Sequence, residues 1–245
     1  MTSLVREPAL RGQTVVVIGG SAGIGLATAR LARTEGAEVV LTGRDPDRLG
    51  QAAADVGARG SAAFDATDPA RLDEFFGSLP APIDHVMVTA GGPYYAPLAE
   101  MDLADARRYV AGEVGLALQV ARLAAGTVRP GGALVLMSGT GARKPAAGLS
   151  VTALLTVGMP ALVADLALEL APVRVNLVAA GFVDTPLSAS LLGDELDARR
   201  EQLRATLPIR RVVGPDDVAA LAVHVMANTA LTGATYDVDG GQQLT

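Results

Sequence analysis

No cysteine occurs in the 245 residues. That excludes a disulfide framework and a thiolate metal site together. Histidine is nearly as scarce. His85 and His224 stand alone, which leaves no ligand set for zinc or iron, and no metal is expected. Lysine occurs once, as Lys144, and the other 19 basic residues are arginine. The net charge is -6, whereas a nucleic-acid partner calls for clustered basic residues. No charge run, Ser/Gly tract or acidic tail divides the chain, and no repeat of roughly 20–50 residues is visible. The chain therefore reads as one domain, residues 1–245, with enough apolar residues for a sizeable core. Residues 1–11 carry Arg6, Glu7 and Pro8 and lack the apolar centre of a secretory signal, so a cytoplasmic location is expected. The longest apolar region, 151–170, is interrupted by Pro160, Asp165 and Glu169. It reads as a buried helix rather than a membrane span.

What is present is alternation. Short β-branched runs at 14–18, 38–42, 61–64, 85–89, 133–137, 174–177 and 234–237 alternate with alanine- and leucine-rich helical patterns. These lie at 24–35, 46–56, 69–78, 103–127, 152–170, 187–205 and 215–227. The run Val15-Val16-Val17-Ile18 is apolar throughout, as parallel strands covered on both faces are. This pattern predicts an α/β fold, a doubly wound seven-stranded parallel sheet flanked by helices. Ligands then bind at the carboxyl ends of the strands. The helix over 152–170 is apolar nearly all round, so it should be covered on more than one side, by the sheet and by a second subunit. Gly158 and Pro160 should bend or break it.

The first strand runs into Gly19-Gly20-Ser21-Ala22-Gly23-Ile24-Gly25 and then a helix. Glycines let the backbone approach a pyrophosphate seated on the helix N-terminus; the alternative is an ordinary tight turn.

The spacing Gly-x-x-x-Gly-x-Gly resembles that of the short-chain dehydrogenase/reductase family. Further landmarks follow in order. Phe64-Asp65-Ala66-Thr67-Asp68 is similar to the family's adenine-holding segment, and Asp65 would accept from the adenine amino group. Thr89-Ala90-Gly91-Gly92 resembles the end of its Asn-Asn-Ala-Gly motif. Arg174-Val175-Asn176 and Ala180-Gly181-Phe182-Val183-Asp184-Thr185 resemble the segment that meets the nicotinamide amide through Val183 and Thr185. Val238-Asp239-Gly240-Gly241 resembles the C-terminal signature. The resemblance implies a Rossmann-like dinucleotide fold, a nicotinamide cofactor, a small-molecule substrate and a homodimer or homotetramer. The second strand ends Leu41-Thr42-Gly43-Arg44. Gly43 stands where NAD-users of the family carry an acid, and an arginine fork suits a 2′-phosphate. NADP(H) is expected over NAD(H), unless Arg44 merely pairs with Asp45 or Asp47.

The family's tyrosine and lysine lie four apart on the helix after the fifth strand, on one face. The tyrosine protonates the nascent alkoxide and the lysine lowers its pKa. Counting back from 166–170 puts these positions at Thr152 and Thr156, and none of Tyr94, Tyr95, Tyr109 and Tyr236 has a lysine four residues on. Ser138 falls at the family's serine position, where it either orients substrate or caps the strand end. Glu113 replaces an asparagine, and Val88 and Thr89 replace the two of Asn-Asn-Ala-Gly. The catalytic candidates are therefore Ser138, Glu113, Tyr94 and Tyr95. Arg143 and Lys144 are possible stabilisers of negative charge. Glu113 either donates a proton or bonds Thr152 or Thr156 to fill vacated space. Three functions stay open: an oxidoreductase with a rearranged site, a nucleotide-binding sensor or inactive partner without hydride chemistry, and a non-redox isomerase or lyase.

Overall fold

Three helices start on an aspartate, and the start is legible in each case. Asp45, Asp68 and Asp102 accept from the second and third backbone N–H groups of α2 (Pro46–Val56), α3 (Pro69–Ser78) and α4 (Leu103–Thr127). Proline at the first position of α2 and α3 sits where its missing N–H costs nothing. The computed structural model describes residue 7 and residues 9–245. The expectation for the N-terminal stretch lies outside the described residues at 1–6 and 8.

Seven strands form one parallel sheet in the order β3-β2-β1-β4-β5-β6-β7. They are β1 (Thr14–Ile18), β2 (Glu38–Gly43), β3 (Gly60–Ala63), β4 (Ile83–Val88), β5 (Val128–Gly139), β6 (Arg174–Ala180) and β7 (Thr235–Val238). The remaining helices are α1 (Gly23–Thr34), α5 (Ser150–Glu169), α6 (Pro186–Leu192), α7 (Leu196–Thr206) and α8 (Pro215–Ala227). Two apolar clusters cover the two faces. One is centred on Val16, Ile18, Val86, Leu134 and Leu136 with α3, α4 and α5, the other on Val15, Val17, Leu41 and Val135 with α1, α2 and α8. Strand order reverses between β1 and β4, so a crevice opens beyond their carboxyl ends.

Four expectations are corrected. The helix predicted over 187–205 is two helices, because Gly193 takes a left-handed φ of 50° between α6 and α7. α5 is one continuous helix with Pro160 inside it, so the Gly158–Pro160 break does not occur. The buried helix expected over 151–170 is buried on its sheet side only within one chain. It is long and apolar enough to cross a membrane by length and composition, yet only 28% of its apolar window is buried. Thr156, Met159, Val163, Leu166 and Ala167 face the core, while Leu154, Val157, Ala161, Ala164 and Leu168 form an exposed stripe. Finally, β5 begins at Val128, five residues before the expected start. Pro130-Gly131-Gly132 forms a bulge where the β4–β5 register shifts between Ile83 and His85. A Cβ on Gly132 would lie 2.3 Å from the Asp84 carbonyl oxygen, so only glycine fits.

Candidate active site

The turn after β1 is tied to both neighbouring strands. Gly19 and Gly20 donate to the Thr42 carbonyl at 3.2 and 2.8 Å, and Thr89 and Ala90 donate to the Ile18 carbonyl at 2.8 and 3.0 Å. The Thr89 hydroxyl donates to the Gly19 carbonyl at 3.0 Å. A Cβ on Gly25 would lie 2.2 Å from that carbonyl oxygen and 2.5 Å from the Thr89 hydroxyl oxygen. Gly19 has φ 96° and Gly23 φ 52°, values that glycine takes without strain. Beyond this turn stands the N-terminus of α1. Its N-cap is Ala22, which offers no side-chain acceptor, unlike the aspartates of α2, α3 and α4. The first N–H groups of α1 are thus left for an outside acceptor, and the helix dipole favours an anion there.

Gly43 ends β2 against Ser21: a Cβ there would sit 2.9 Å from the Ser21 hydroxyl oxygen. Any side chain at this position would have to displace Ser21. Arg44 follows on the surface. It makes no ion pair with Asp45 or Asp47. Instead Asp45 caps α2 and approaches Arg48, and the charge that Arg44 meets is Asp65, across the ends of β2 and β3. The Thr67 backbone N–H, the Thr67 hydroxyl and the Arg44 charge hold the Asp65 carboxyl below its usual range. Both Thr67 bonds go to the same Asp65 oxygen, Oδ1. Ala66, next in the chain, is buried.

The loop after β6 closes the far side. A Cβ on Gly181 would meet Asp239 and Gln242 at 2.7 Å, and the Phe182 N–H donates to Gln242 Oε1 at 2.8 Å. Asp239 is itself held by Thr140, Gly241 and Gln243, so the C-terminal segment braces the ends of β5 and β6. Val183 is buried and bridges to Val213. Thr185 caps α6 through Ser188, and its side chain lies 3.4 Å from where a Gly23 Cβ would be. The loop after β6 therefore touches the start of α1, and the predicted cofactor residues converge on one crevice. Ala90 and Gly91 complete it after β4.

Among the described residues the Ser138 hydroxyl, at the end of β5, caps nothing and has no hydrogen-bond partner. Thr152 is engaged with the loop after β4: its hydroxyl donates to the Tyr94 carbonyl at 2.6 Å and accepts from the Tyr94 N–H at 3.1 Å. Thr156 is buried, with its hydroxyl oxygen 3.9 Å from where a Gly139 Cβ would stand. Glu113 does not bond Thr152 or Thr156, contrary to one expectation. Its carboxylate lies on Gly91, at 2.5 Å from an ideal Cβ there, and accepts from the Gly92 N–H. Burial pushes its pKa up to about 7, and the Gly92 bond offsets only part of that. The Tyr94 hydroxyl is spent on the Asp102 carbonyl at 3.3 Å. Tyr95 is 57% exposed, and burial of part of its ring raises its phenol.

Two expected stabilisers of negative charge are occupied elsewhere. Arg143 makes a bidentate pair with Asp237 at 2.7 and 2.9 Å, and Lys144 donates to the Thr245 carbonyl at 2.6 Å. His85 is a core residue whose Nε2 meets Gln13 Oε1 at 2.6 Å. Burial pushes its pKa down to about 3. One residue that sequence reasoning passed over joins the site. Tyr109, on α4 one turn before Glu113, packs its ring 5.5 Å from that of Tyr94, with its phenol near the Thr152 hydroxyl. Burial and the nearby Glu113 push it up to about 12. Its only sequence signal was the spacing of four from Glu113, which places both on one helix face.

Residues 19–243 match a family model described as enoyl-(acyl carrier protein) reductase. The short-chain dehydrogenase/reductase malC of Malbranchea aurantiaca is 29% identical over 96% of this chain and 96% of its own length. The solved structure titled MalC reductase/Diels-Alderase superposes with a TM-score of 0.90 at 28% identity, covering 98% of this chain and 99% of that one. A small-chain dehydrogenase in complex with NADPH gives a TM-score of 0.81 at 27% identity, covering 95% and 99%. BdcA in complex with NADPH gives 0.84 at 26%, covering 95% of each chain.

Proposed function

Because the chain belongs to the short-chain dehydrogenase/reductase family, we propose that it is a cytoplasmic NADP(H)-dependent oxidoreductase acting on a small carbonyl compound or its alcohol. In this reading its proton-transfer site is of unusual make-up. The observation that carries the nucleotide part is the uncapped start of α1, with the tight Gly19–Gly25 cradle before it. A dinucleotide fits these residues. The pyrophosphate would lie on Gly19 to Gly25, with Ser21, Ala22, Gly23 and Ile24 presenting backbone. Asp65 and Ala66 would hold the adenine, Ala90 and Gly91 the ribose side, and Gly181, Val183 and Thr185 the nicotinamide amide. Two relatives solved with NADPH support that cofactor, and here Gly43 supplies no acid to repel a 2′-phosphate while Arg44 stands beside it without an ion pair to Asp45 or Asp47.

The bound cofactor would supply hydride; the chain's own residues must position the substrate and handle the proton. We read Thr152 and Thr156 as standing in place of the family's tyrosine and lysine. A threonine hydroxyl is a far weaker acid than a phenol and reaches less far, and the one lysine is tied to Thr245. Ser138 is left to orient the substrate oxygen. Oxidation of NADPH by some member of a carbonyl panel tests this reading. Tight NADPH binding with no turnover of any panel member would instead make the protein a nucleotide-binding partner.

Arg44→Ala should weaken NADPH binding by about 10- to 100-fold, the usual loss for a charge-assisted contact to phosphate, and leave NADH binding nearly unchanged. Isothermal titration with both cofactors checks this; equal losses for the two would remove Arg44 from the 2′-phosphate.

The exposed stripe on α5 supports a two-fold assembly. Leu154, Val157 and Leu168 are 63%, 67% and 80% exposed in one chain. Their spacing puts them on one helix face, where a symmetry mate would bury them. Light scattering at micromolar concentration should show a dimer or tetramer, and Val157→Arg should shift it to monomer. A monomeric parent chain would overturn the assembly.

A further inference from the structure

The proton is the unsolved part of the reaction, and α4 carries a pair of groups placed to deliver it. Tyr109 and Glu113 are one turn apart on the same face. The Tyr109 ring packs 5.5 Å from that of Tyr94, and its phenol lies near the Thr152 hydroxyl, which is pinned to the backbone of Tyr94. Thr152 is where the resemblance puts the family tyrosine, so the phenol stands near that position but comes from α4. Glu113 is close enough for its charge to act on the phenol, and its carboxylate lies on Gly91.

Resting on the oxidoreductase reading above, we infer that Tyr109 is the catalytic proton donor and Glu113 the group that resupplies it, a Tyr-x-x-x-Glu pair on α4 in place of the family's Tyr-x-x-x-Lys pair on α5. The balance is simple. Hydride adds to the carbonyl carbon and the C=O π pair becomes an alkoxide. The alkoxide takes the Tyr109 O–H proton. The phenolate takes the Glu113 carboxyl proton, and the carboxylate regains a proton from hydronium or a buffer acid in the solvent, so the net proton comes from bulk. In the alcohol direction every transfer reverses. The two transfers within the protein are downhill for the proton toward the alcohol, since an alkoxide is far more basic than a phenolate and a phenolate more basic than a carboxylate.

The surroundings keep the pair protonated. Among the described residues no lysine or arginine shifts Glu113. The groups that face it are the Gly92 N–H, Tyr109 on its own helix and, beyond Tyr109, Thr152 on α5 and Tyr95 in the loop after β4. Burial raises the Glu113 carboxyl, so it binds its proton through the range below about pH 7 and loses it above. Turnover of a carbonyl should therefore fall as pH rises through about 7. A family-type lysine–tyrosine pair would instead keep donating well above that.

Two measurements decide it. The first needs no turnover. The carboxylic C=O stretch present in the parent chain and lost in Glu113→Gln, followed by infrared difference spectroscopy, should titrate near pH 7. A midpoint in the ordinary carboxylate range would overturn the assignment of Glu113. The second is NADPH oxidation against the carbonyl panel. Tyr109→Phe should cut kcat by about 10²-fold or more with NADPH affinity unchanged, because the ring and its packing on Tyr94 stay. Glu113→Gln should remove the fall in kcat near pH 7. A parent chain that turns over while Tyr109→Phe keeps its rate overturns this inference alone. A parent chain that binds NADPH and reduces nothing overturns the oxidoreductase reading, and the inference falls with it.

Discussion

Arg174→Met is expected to lower the unfolding free energy by about 3–5 kcal/mol, the cost of stripping one partner from a buried charged network. Arg174 opens β6 and is 6% exposed. Among the described residues its guanidinium meets no carboxylate. It donates to five carbonyls: Gly131 at 3.1 Å, Val225 at 2.9 Å, Asn228 at 3.1 Å, Leu231 at 2.9 Å and Met226 at 2.7 Å. Val225 and Met226 lie in the last turn of α8, whose final carbonyls have no partner within the helix and carry the negative end of its dipole. The arginine is thus the C-terminal cap of α8 and the clasp between that helix, the β5 bulge and the loop to β7. Methionine fills much of the volume and satisfies none of the five acceptors. Arg174→Lys has three donors and no fork, so it should recover only part of the loss. Urea unfolding should show a lower midpoint at unchanged slope. All five contacts lie at the amino end of β6, away from the crevice, so NADPH affinity of the folded fraction should be untouched. A change under about 1 kcal/mol would mean that water satisfies those carbonyls instead.

Gly25→Ala should abolish dinucleotide binding, by about 10²-fold or more, although alanine is the better helix former. Gly25 lies inside α1 and its φ is not positive, so backbone strain plays no part. By propensity alone the change would stabilise by about 1 kcal/mol. Against that, the new methyl would stand 2.2 Å from the Gly19 carbonyl oxygen and 2.5 Å from the Thr89 hydroxyl. Neither neighbour is the end of a flexible chain. Gly19 is held through Thr42, and Thr89 through Ile18. The turn must open, and the spacing between the Gly19 backbone and the start of α1 is what a pyrophosphate reads. Gly115→Ala is the control: it is a helical glycine on α4 with nothing within 4 Å of a new Cβ, and it should be neutral or stabilising. Circular dichroism and NADPH titration on both variants separate folding from binding. Retained affinity in Gly25→Ala would remove the turn from the nucleotide site.

What the sequence made legible follows from local chemistry. α2, α3, α4 and α8 have the expected bounds because each starts on a cap residue or a proline that needs no tertiary help. Six of the seven strands fall within three residues of their predicted bounds, most of them because continuous β-branched runs have few other uses; β5 starts five residues early, and β3, Gly-Ser-Ala-Ala, has no β-branched residue. The β5 bulge was missed because Pro130-Gly131-Gly132 has turn composition, and only the neighbouring Asp84 carbonyl gives Gly132 its reason. That α5 needs a second cover was legible from its all-round apolar composition, which does not say which molecule supplies it. In the crevice, the glycines announced themselves by spacing. Tyr109 did not, since its relation to Thr152 joins α4 to α5 across 43 residues and exists only in the fold. Glu113 was visible as an anomaly, but its place on Gly91 and Gly92, rather than on a threonine, was not.

That last contact also constrains how this site can be changed. Gly91 has φ 120°, and its missing side chain is the space the Glu113 carboxylate occupies. A side chain at 91 would meet two separate obstacles: a backbone that only glycine takes without strain, and the Glu113 carboxylate standing where its Cβ would be. Replacing Glu113 with a shorter residue removes the second and leaves the first. Any redesign of this floor therefore has to work through position 113 and keep the glycine.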